Sequence, residues 1–264
     1  MAAGIATLYS GSSGNSTLVC GERARVLVDM GCSCKKTLGE LYSLGVSAKD
    51  IDAVFITHEH SDHVGGLLTF LSHYGVPVYG SERTLRYLGE RGIVPKSAKL
   101  EPLEKGAAIK IGDITARCFS TSHDSADCVG YRFGLESGAS IAVATDLGFV
   151  SDEVFAELLG CSLVALESNY DDTMLLSGKY PYYLKARIRS HVGHLSNREC
   201  AEAAVKLAEG GTKRLVLMHL SRENNIPELA LTGCLSILEN YGITEEVMKV
   251  SVAPRHECSG LIEV

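Results

Sequence analysis

Short apolar runs bounded by turn residues alternate along this chain with longer segments whose apolar positions recur every three or four residues. The first pattern predicts strands and the second amphipathic helices. Residues 5–9, 17–20 and 24–28 read as three strands, with the Gly- and Ser-rich stretch 10–16 as a turn after the first. Residues 35–44 read as a helix stopped by Gly45. A compact apolar run, 53–56, reads as a buried strand, and 66–74 as the helix that follows it. Residues 77–79 read as a short edge-like strand, and Ser81 as the N-cap of a helix to about Gly89. Apolar and polar residues alternate from 107 to 120 and break at Gly112-Asp113, which predicts a hairpin. A second hairpin follows over 128–136 and 140–145, turning at Ser137-Gly138.

Downstream, helices and buried strands take turns. A helix over 152–159 precedes a strand over 163–166. Ser196, with Glu199 three residues on, predicts a capped helix to Glu209, and residues 214–218 form the next strand. Pro227 opens a helix to about Asn240, and strands over 249–253 and 261–264 close the chain. Hairpins before residue 146 and βα units around and after it predict a two-layer core with helices outside. No internal repeat or Pro-rich linker interrupts the pattern, so a single domain over residues 1–264 is expected.

Composition narrows the class. Hydrophobic residues make up 45% and charged residues 22%, the balance of a globular domain with a sizeable core. The formal charge of −7 repels nucleic acid and anionic membranes in bulk and argues against a simple basic DNA-binding module. It permits an anionic substrate at a locally positive site. One reversal of sign is evident. Residues 173–198 contain no acid but carry Lys179, Lys185, Arg187, Arg189 and Arg198, with Tyr180, Tyr182 and Tyr183. The nine cysteines are odd in number and include no CxxC pair, which predicts reduced, mostly buried thiols in a cytoplasmic protein. No apolar run approaches membrane-spanning length and the first residues lack the shape of a signal peptide, so no membrane association is expected.

One polar cluster changes the picture. His58-Glu59-His60-Ser61-Asp62-His63 lies between a predicted buried strand and a predicted helix, where open α/β sheets place their sites. Its plain alternative is a solvated loop that happens to be rich in histidine. Neutral imidazole and carboxylate are good ligands for divalent transition metals, and this donor set suits zinc, manganese or iron. Residues two apart on an extended loop point the same way, so His58 and His60 can grip one ion. Asp62 and His63 lie beyond the bend and can face a second. Asp29, His123, Asp146 and His219 also follow predicted strands, and strands that end on one side of a sheet bring such residues together.

The order Asp29, His58-x-His60-x-Asp62-His63, His123, Asp146, His219 resembles the metallo-β-lactamase fold superfamily. The resemblance implies an α/β fold, an αββα four-layer sandwich with two divalent metal ions at one edge. It implies that His58, His60 and His123 hold the first ion and Asp62, His63 and His219 the second, with Asp146 bridging them. Asp29 would orient the histidine loop from behind. Two divalent ions outweigh two carboxylates and a bridging hydroxide, so the site attracts anions, and metal-bound hydroxide suits hydrolysis.

His194 is surplus to that ligand set. The stretch Gly193-His194-Leu195-Ser196 looks like the extra histidine motif of the superfamily's phosphodiesterases, which contacts the scissile phosphate or protonates the leaving oxygen. Asp62 and His194 are then the expected catalytic residues. The stretches 10–16, 166–171 and 193–197 are similar to the YycJ (WalJ) branch of bacterial single-domain hydrolases, regarded as DNA exonucleases acting from 5′ ends. That implies nucleic acid as substrate, with Ser12, Ser13, Asn15, Asn169, Arg187, Ser196 and Asn197 as candidate binding residues. Two rivals stay open. A small-molecule hydrolase of cyclic phosphodiesters, lactones or thioesters is favoured by the net acidity. A non-catalytic scaffold on the same fold has no need of seven ligands.

Overall fold

A computed structural model describes residues 2–264. Two seven-stranded sheets lie face to face. In the first, β1 (Gly4–Tyr9), β2 (Ser16–Cys20) and β3 (Arg25–Val28) form an antiparallel meander, and β4 (Ala53–Phe55), β5 (Val78–Gly80) and β6 (Leu100–Pro102) extend it in parallel. In the second, β7 (Ala108–Ile111), β8 (Ile114–Ser120), β9 (Val129–Leu135) and β10 (Ser140–Ala144) run antiparallel. Parallel β11 (Leu163–Glu167), β12 (Arg214–Met218) and β13 (Lys249–Val252) complete it. The last strand, β14 (Ile262–Glu263), returns to pair with β1.

Helices cover both outer faces. Helices α1 (Cys34–Ser43), α2 (Ser61–Val64), α3 (Leu67–His73) and α4 (Glu82–Glu90) accompany the first sheet. Helices α5 (Asp152–Leu158), α6 (Asp172–Ser177), α7 (Tyr182–Ile188), α8 (Asn197–Glu209) and α9 (Pro227–Asn240) follow in the second half. The parallel strands are buried on both faces, which is why they read as unbroken apolar runs. Along β11, Leu163 and Ala165 pack between the sheets, while Val164 and Leu166 pack under the helices with Ala204, Leu207 and Leu238. Phe55 is a centrepiece of the inner layer, with the rings of Tyr79, Tyr131 and Phe133 at 5.1, 5.2 and 5.4 Å. Burying each such side chain stabilises the fold by about 1.5–3 kcal/mol. The αββα architecture is as expected.

Three local expectations need correction. Residues 77–79 do not form an edge, because β6 pairs outside β5. Three residues ending in proline carry too little periodicity to reveal such a strand. The tyrosine-bearing basic stretch 179–189 carries α7, a solvated helix face being its plain alternative to a strand-tracking surface, and α6, before it, was not expected. The helix expected over 66–74 is α3, but a separate short helix, α2, begins within the histidine cluster at Ser61 and was not expected. All nine cysteines are free thiols, and eight are buried. Among the described residues, no helix is long and apolar enough to cross a membrane.

Away from the histidine cluster, one carboxylate ties the sheets together. Asp113, in the β7–β8 turn, accepts hydrogen bonds from the backbone N–H groups of Glu22, Arg23 and Ala24 at 2.7, 3.1 and 2.8 Å. Burial pushes its pKa up, but these donors win and hold the carboxyl below its ordinary value. Replacing Asp113 by Ala is therefore expected to lower the unfolding free energy by about 2–4 kcal/mol at neutral pH. Because the folded pKa is depressed, this contribution is present above the unfolded carboxyl pKa of about 3.9 and is lost as pH falls through the folded value. Urea unfolding of both proteins across that range checks it; equal stability at neutral pH sinks the idea.

Candidate metal centre

Strand direction gathers the site. Strands β3 and β4 are parallel, β10, β11 and β12 are parallel, and β8 runs the same way as β10 because both are antiparallel to β9. Asp29 follows β3, His58 follows β4, His123 follows β8, Asp146 follows β10 and His219 follows β12. Asp29, Asp146 and His219 have φ of 61°, 55° and 57°, and no other non-glycine residue among those described has a positive φ. Such backbone costs about 1–3 kcal/mol per residue and persists where the surroundings fix it. Asp and His tolerate it better than most side chains.

The histidine loop is fastened at both ends. The Asp29 carboxylate accepts from Thr57 N, Thr57 Oγ1 and His63 Nδ1 at 2.8, 2.8 and 2.7 Å. Across the sandwich, Tyr131 Oη donates to Ile56 O, and Val129 N donates to Thr57 O. Asn15 N donates to Asp62 O at 2.7 Å and Gly31 N to Asn15 O at 2.8 Å. A Cβ on Gly31 would lie 1.7 Å from Asp62 O, so only glycine admits this approach.

The structure brings all seven expected ligands together. His58, His60 and His123 present ligand atoms within 4.8 Å of one another, and so do Asp62, His63 and His219. Asp146 lies between the groups. One of its oxygens is 3.2 Å from His63 Nε2 and the other 3.7 Å from His123 Nε2 and 3.6 Å from His219 Nδ1. Hydrogen bonds dictate one tautomer around the centre. Nδ1 of His63 faces the Asp29 carboxylate, that of His123 faces Gly193 O at 3.1 Å, and that of His219 faces Glu167. The Thr57 hydroxyl spends its proton on Asp29 and so accepts from His58 Nδ1 at 3.1 Å. Each Nε2 faces the centre, where giving up its proton makes it a donor to a cation.

The donor set fits divalent cations. His58 Nε2, His219 Nε2 and Asp146 Oδ2 are buried without a hydrogen-bond partner, a costly arrangement unless something electropositive completes it. Charge tells the same story. Burial opposes ionisation of Asp146, yet the His219 and His63 imidazoles hold its carboxyl well below the usual range. Burial should likewise discharge His63, but Asp146 and Asp29 raise it to about 10. A site that draws protons onto buried imidazoles so strongly draws cations by the same field.

Glu167, the last residue of β11, was not expected here. Its buried carboxylate accepts from His194 Nδ1 at 2.9 Å, His219 Nδ1 at 2.6 Å, Leu147 N at 3.1 Å and Leu195 N at 3.0 Å. Burial works against its charge, but His194 and His219 hold its pKa down to about 2. It thus orients His219 and joins His194 to the centre. The available signal was an acid closing a wholly buried strand beside the strand that ends at His219. His194 itself lies 3.7 Å from Asp146, and burial, which lowers its pKa, is outweighed by Glu167, so the imidazole is shifted upward.

The centre opens into a pocket of about 260 Å³, lined also by Ser12, Asn169, Tyr180, Arg187 and Ser221. Asn169 donates to His219 O at 2.7 Å, and Arg187 pairs with Asp124 at 2.6 Å. The other suggested binding residues stand elsewhere. Ser13 is exposed and lies outside the lining. Asn15 is buried, with Nδ2 against the inward atoms of the second ligand group, 3.1 Å from His63 Nε2 and 3.4 Å from Asp62 Oδ2. Ser196 caps α8 through a capping box with Glu199. Asn197 is buried in a network with Ser168 and Asn225.

Exchanging Glu167 for Gln keeps its size and removes its charge. That variant is expected to hold metal about 10- to 100-fold more weakly. Chelator competition reads the change, and unaltered affinity would show that Glu167 does not tune the centre.

Comparison with known proteins agrees with this geometry. The family described as "Beta-lactamase superfamily domain" matches residues 24–220. The chain is 39% identical over 225 residues to exodeoxyribonuclease WalJ of Streptococcus pneumoniae, covering 84% of this chain and 83% of that protein. It is 36% identical over 236 residues to exodeoxyribonuclease YycJ of Bacillus anthracis, covering 89% of each. The metallo-beta-lactamase fold protein YhfI from Bacillus subtilis superposes with a TM-score of 0.71 at 18% identity, over 97% of this chain and 98% of the other. Zinc-bound PqqB from Methylobacterium extorquens does so with 0.73 at 15% identity, over 97% and 99%. Since the family match runs from β3 to β12 and takes in every residue of the centre from Asp29 to His219, the chain belongs to the beta-lactamase superfamily.

Proposed function

We propose that this chain is a dinuclear metal-dependent phosphodiesterase, a DNA exonuclease directed at 5′ ends. The observation that carries this reading is its relation to two proteins called exodeoxyribonucleases over 84% and 89% of its length. The paired ligand groups around Asp146 supply the chemistry such a reaction needs. His58, His60 and His123 would hold one ion and Asp62, His63 and His219 the other, with Asp146 shared. Bound there, divalent ions would acidify water and offset the negative charge that builds on a phosphodiester during hydrolysis.

The protein's own groups do the rest. Asp62 and Asp146 keep the floor of the pocket anionic enough to retain cations. His194 keeps Nδ1 on Glu167, which leaves Nε2 to hold a proton for the departing oxygen. Against burial, the Glu167 carboxylate raises its pKa and so favours the protonated ring. Ser12 and Asn169 offer hydroxyl and amide groups at the pocket wall. On α7, Tyr182 and Tyr183 are 86% and 75% exposed, an unusual state for large aromatic rings. Bases of a single strand would stack on them without regard to sequence.

In a protein loaded with zinc, manganese or iron in turn, His60→Ala and Asp62→Ala are expected to cut the degradation of 5′-labelled DNA by at least about 100-fold and to lower bound metal. Product analysis separates release from 5′ ends from release at 3′ ends. Full activity in either variant at reduced metal content would refute the proposal, and a preference for a small phosphodiester over DNA would favour the small-molecule reading.

A further inference from the structure

Two arginines stand beside the centre with nothing to neutralise them. Arg222 follows β12 and Arg255 follows β13, and these neighbouring strands are parallel, so both loops leave the sheet at the same edge as His219. The third wall is the glycine-serine turn after β1. Ser10 Oγ accepts from His219 N at 2.7 Å, which pins that turn to the centre. A Cβ on Gly11 would lie 3.2 Å from Arg255 Nη1 and 3.2 Å from Leu220 O, so the guanidinium rests against the turn where a side chain is missing. Ser12, one residue on, and Ser221, one residue before Arg222, both line the metal pocket.

Among the described residues, neither Arg222 nor Arg255 forms an ion pair or a hydrogen bond, unlike Arg187, which is spent on Asp124. Arg255 is half-buried. Burial and the charge of Arg222 both push its pKa below the ordinary value, so the two cations feel each other. A half-buried cation that also feels a second, exposed cation is unfavourable unless an anion completes the pair. The chain has a formal charge of −7, and Glu223 follows Arg222 directly while Glu257 lies two residues beyond Arg255, yet among the described residues neither arginine pairs with an acid. Guanidinium groups present a planar fork of donors that matches phosphate oxygens.

We propose that Arg222 and Arg255, with the turn at Gly11 and Ser12, form a phosphate-binding site on the rim of the metal pocket that holds a phosphate of the substrate strand other than the one being cleaved. The site rests on the nuclease reading and deepens it. It accounts for how an acidic protein retains a polyanion while its scissile bond occupies the centre.

The test uses the metal-loaded protein and single-stranded oligonucleotides with 5′-phosphate or 5′-hydroxyl ends. In Arg222→Gln/Arg255→Gln, KM is expected to rise about tenfold, more than kcat changes, and the slope of log(kcat/KM) against log salt to fall by about one. The Lys/Lys variant, which keeps charge but not the fork, should retain the salt slope and lose part of the affinity. A loss confined to 5′-phosphorylated strands assigns the site to the terminal phosphate; an equal loss on both assigns it to an internal one. A folded Gln/Gln variant, of wild-type melting temperature, with unchanged KM and salt slope overturns the site while leaving the nuclease reading intact. If the double variant does not fold, Arg222→Gln alone, at an exposed position, decides between the same two outcomes. Wild-type protein that neither degrades DNA nor binds it overturns both.

Discussion

The constraint on which this structure depends is the placement of Asp146 and Glu167, two carboxylates with almost no exposure to water, at the edge of the second sheet. Unpaired, each would be strongly destabilising in such surroundings. The fold answers with imidazoles. His194 and His219 close on Glu167, and His63 and His219 close on Asp146. These contacts satisfy the acids only by committing ring nitrogens, and they leave inward lone pairs and one carboxylate oxygen unmatched. A metal-binding site is the arrangement in which that remainder becomes favourable.

Rigidity follows from the same need. The three residues with left-handed backbone, Asp29, Asp146 and His219, are each held by bonds from a different part of the chain. Asp29 is gripped by Thr57 and His63, His219 by Ser10 and Asn169, and Leu147, after Asp146, by Glu167. Strain of this kind is stable only where it is over-determined, and here each support comes from a residue distant in sequence. The two sheets therefore cannot slide without breaking the centre, and the inner layer around Phe55 and Tyr131 serves as its foundation as well as the core.

What the sequence revealed tracks how local the cause was. The cluster from His58 to His63 is dense enough to be read by itself, and Asp29, His123, Asp146 and His219 share the property of following a strand. The layered α/β plan came from the switch between alternating and continuous apolar runs. Glu167 escaped because one acid at a strand end carries no signature until its neighbours across the sheet are known. Asn15 and Asn197 were suggested as binding residues, yet they form bonds within the protein, since a buried amide and an exposed one look alike in a sequence. Strand β6 and helix α6 were missed for want of length, and α7 was left as one of two readings because its exposed tyrosines and cations obscure the helical period.

The centre and its rim divide the work of recognition. Ligand geometry fixes where a cation sits and so what bond is polarised, but it discriminates little among phosphodiesters, thioesters and lactones. Discrimination must come from groups that touch the rest of the substrate. On the proposed reading the candidates lie mostly in the second half of the chain: Asn169, the exposed rings of α7, His194, and the loops after β12 and β13. Parallel strand ends impose this, because every βα connection in the second sheet emerges beside the metals and can vary without disturbing Asp146 or His219. Overall acidity then becomes an aid to selection. Net negative charge opposes a long polyanion in bulk, so the proposed rim site would have to supply the local attraction that brings such a strand to the pocket.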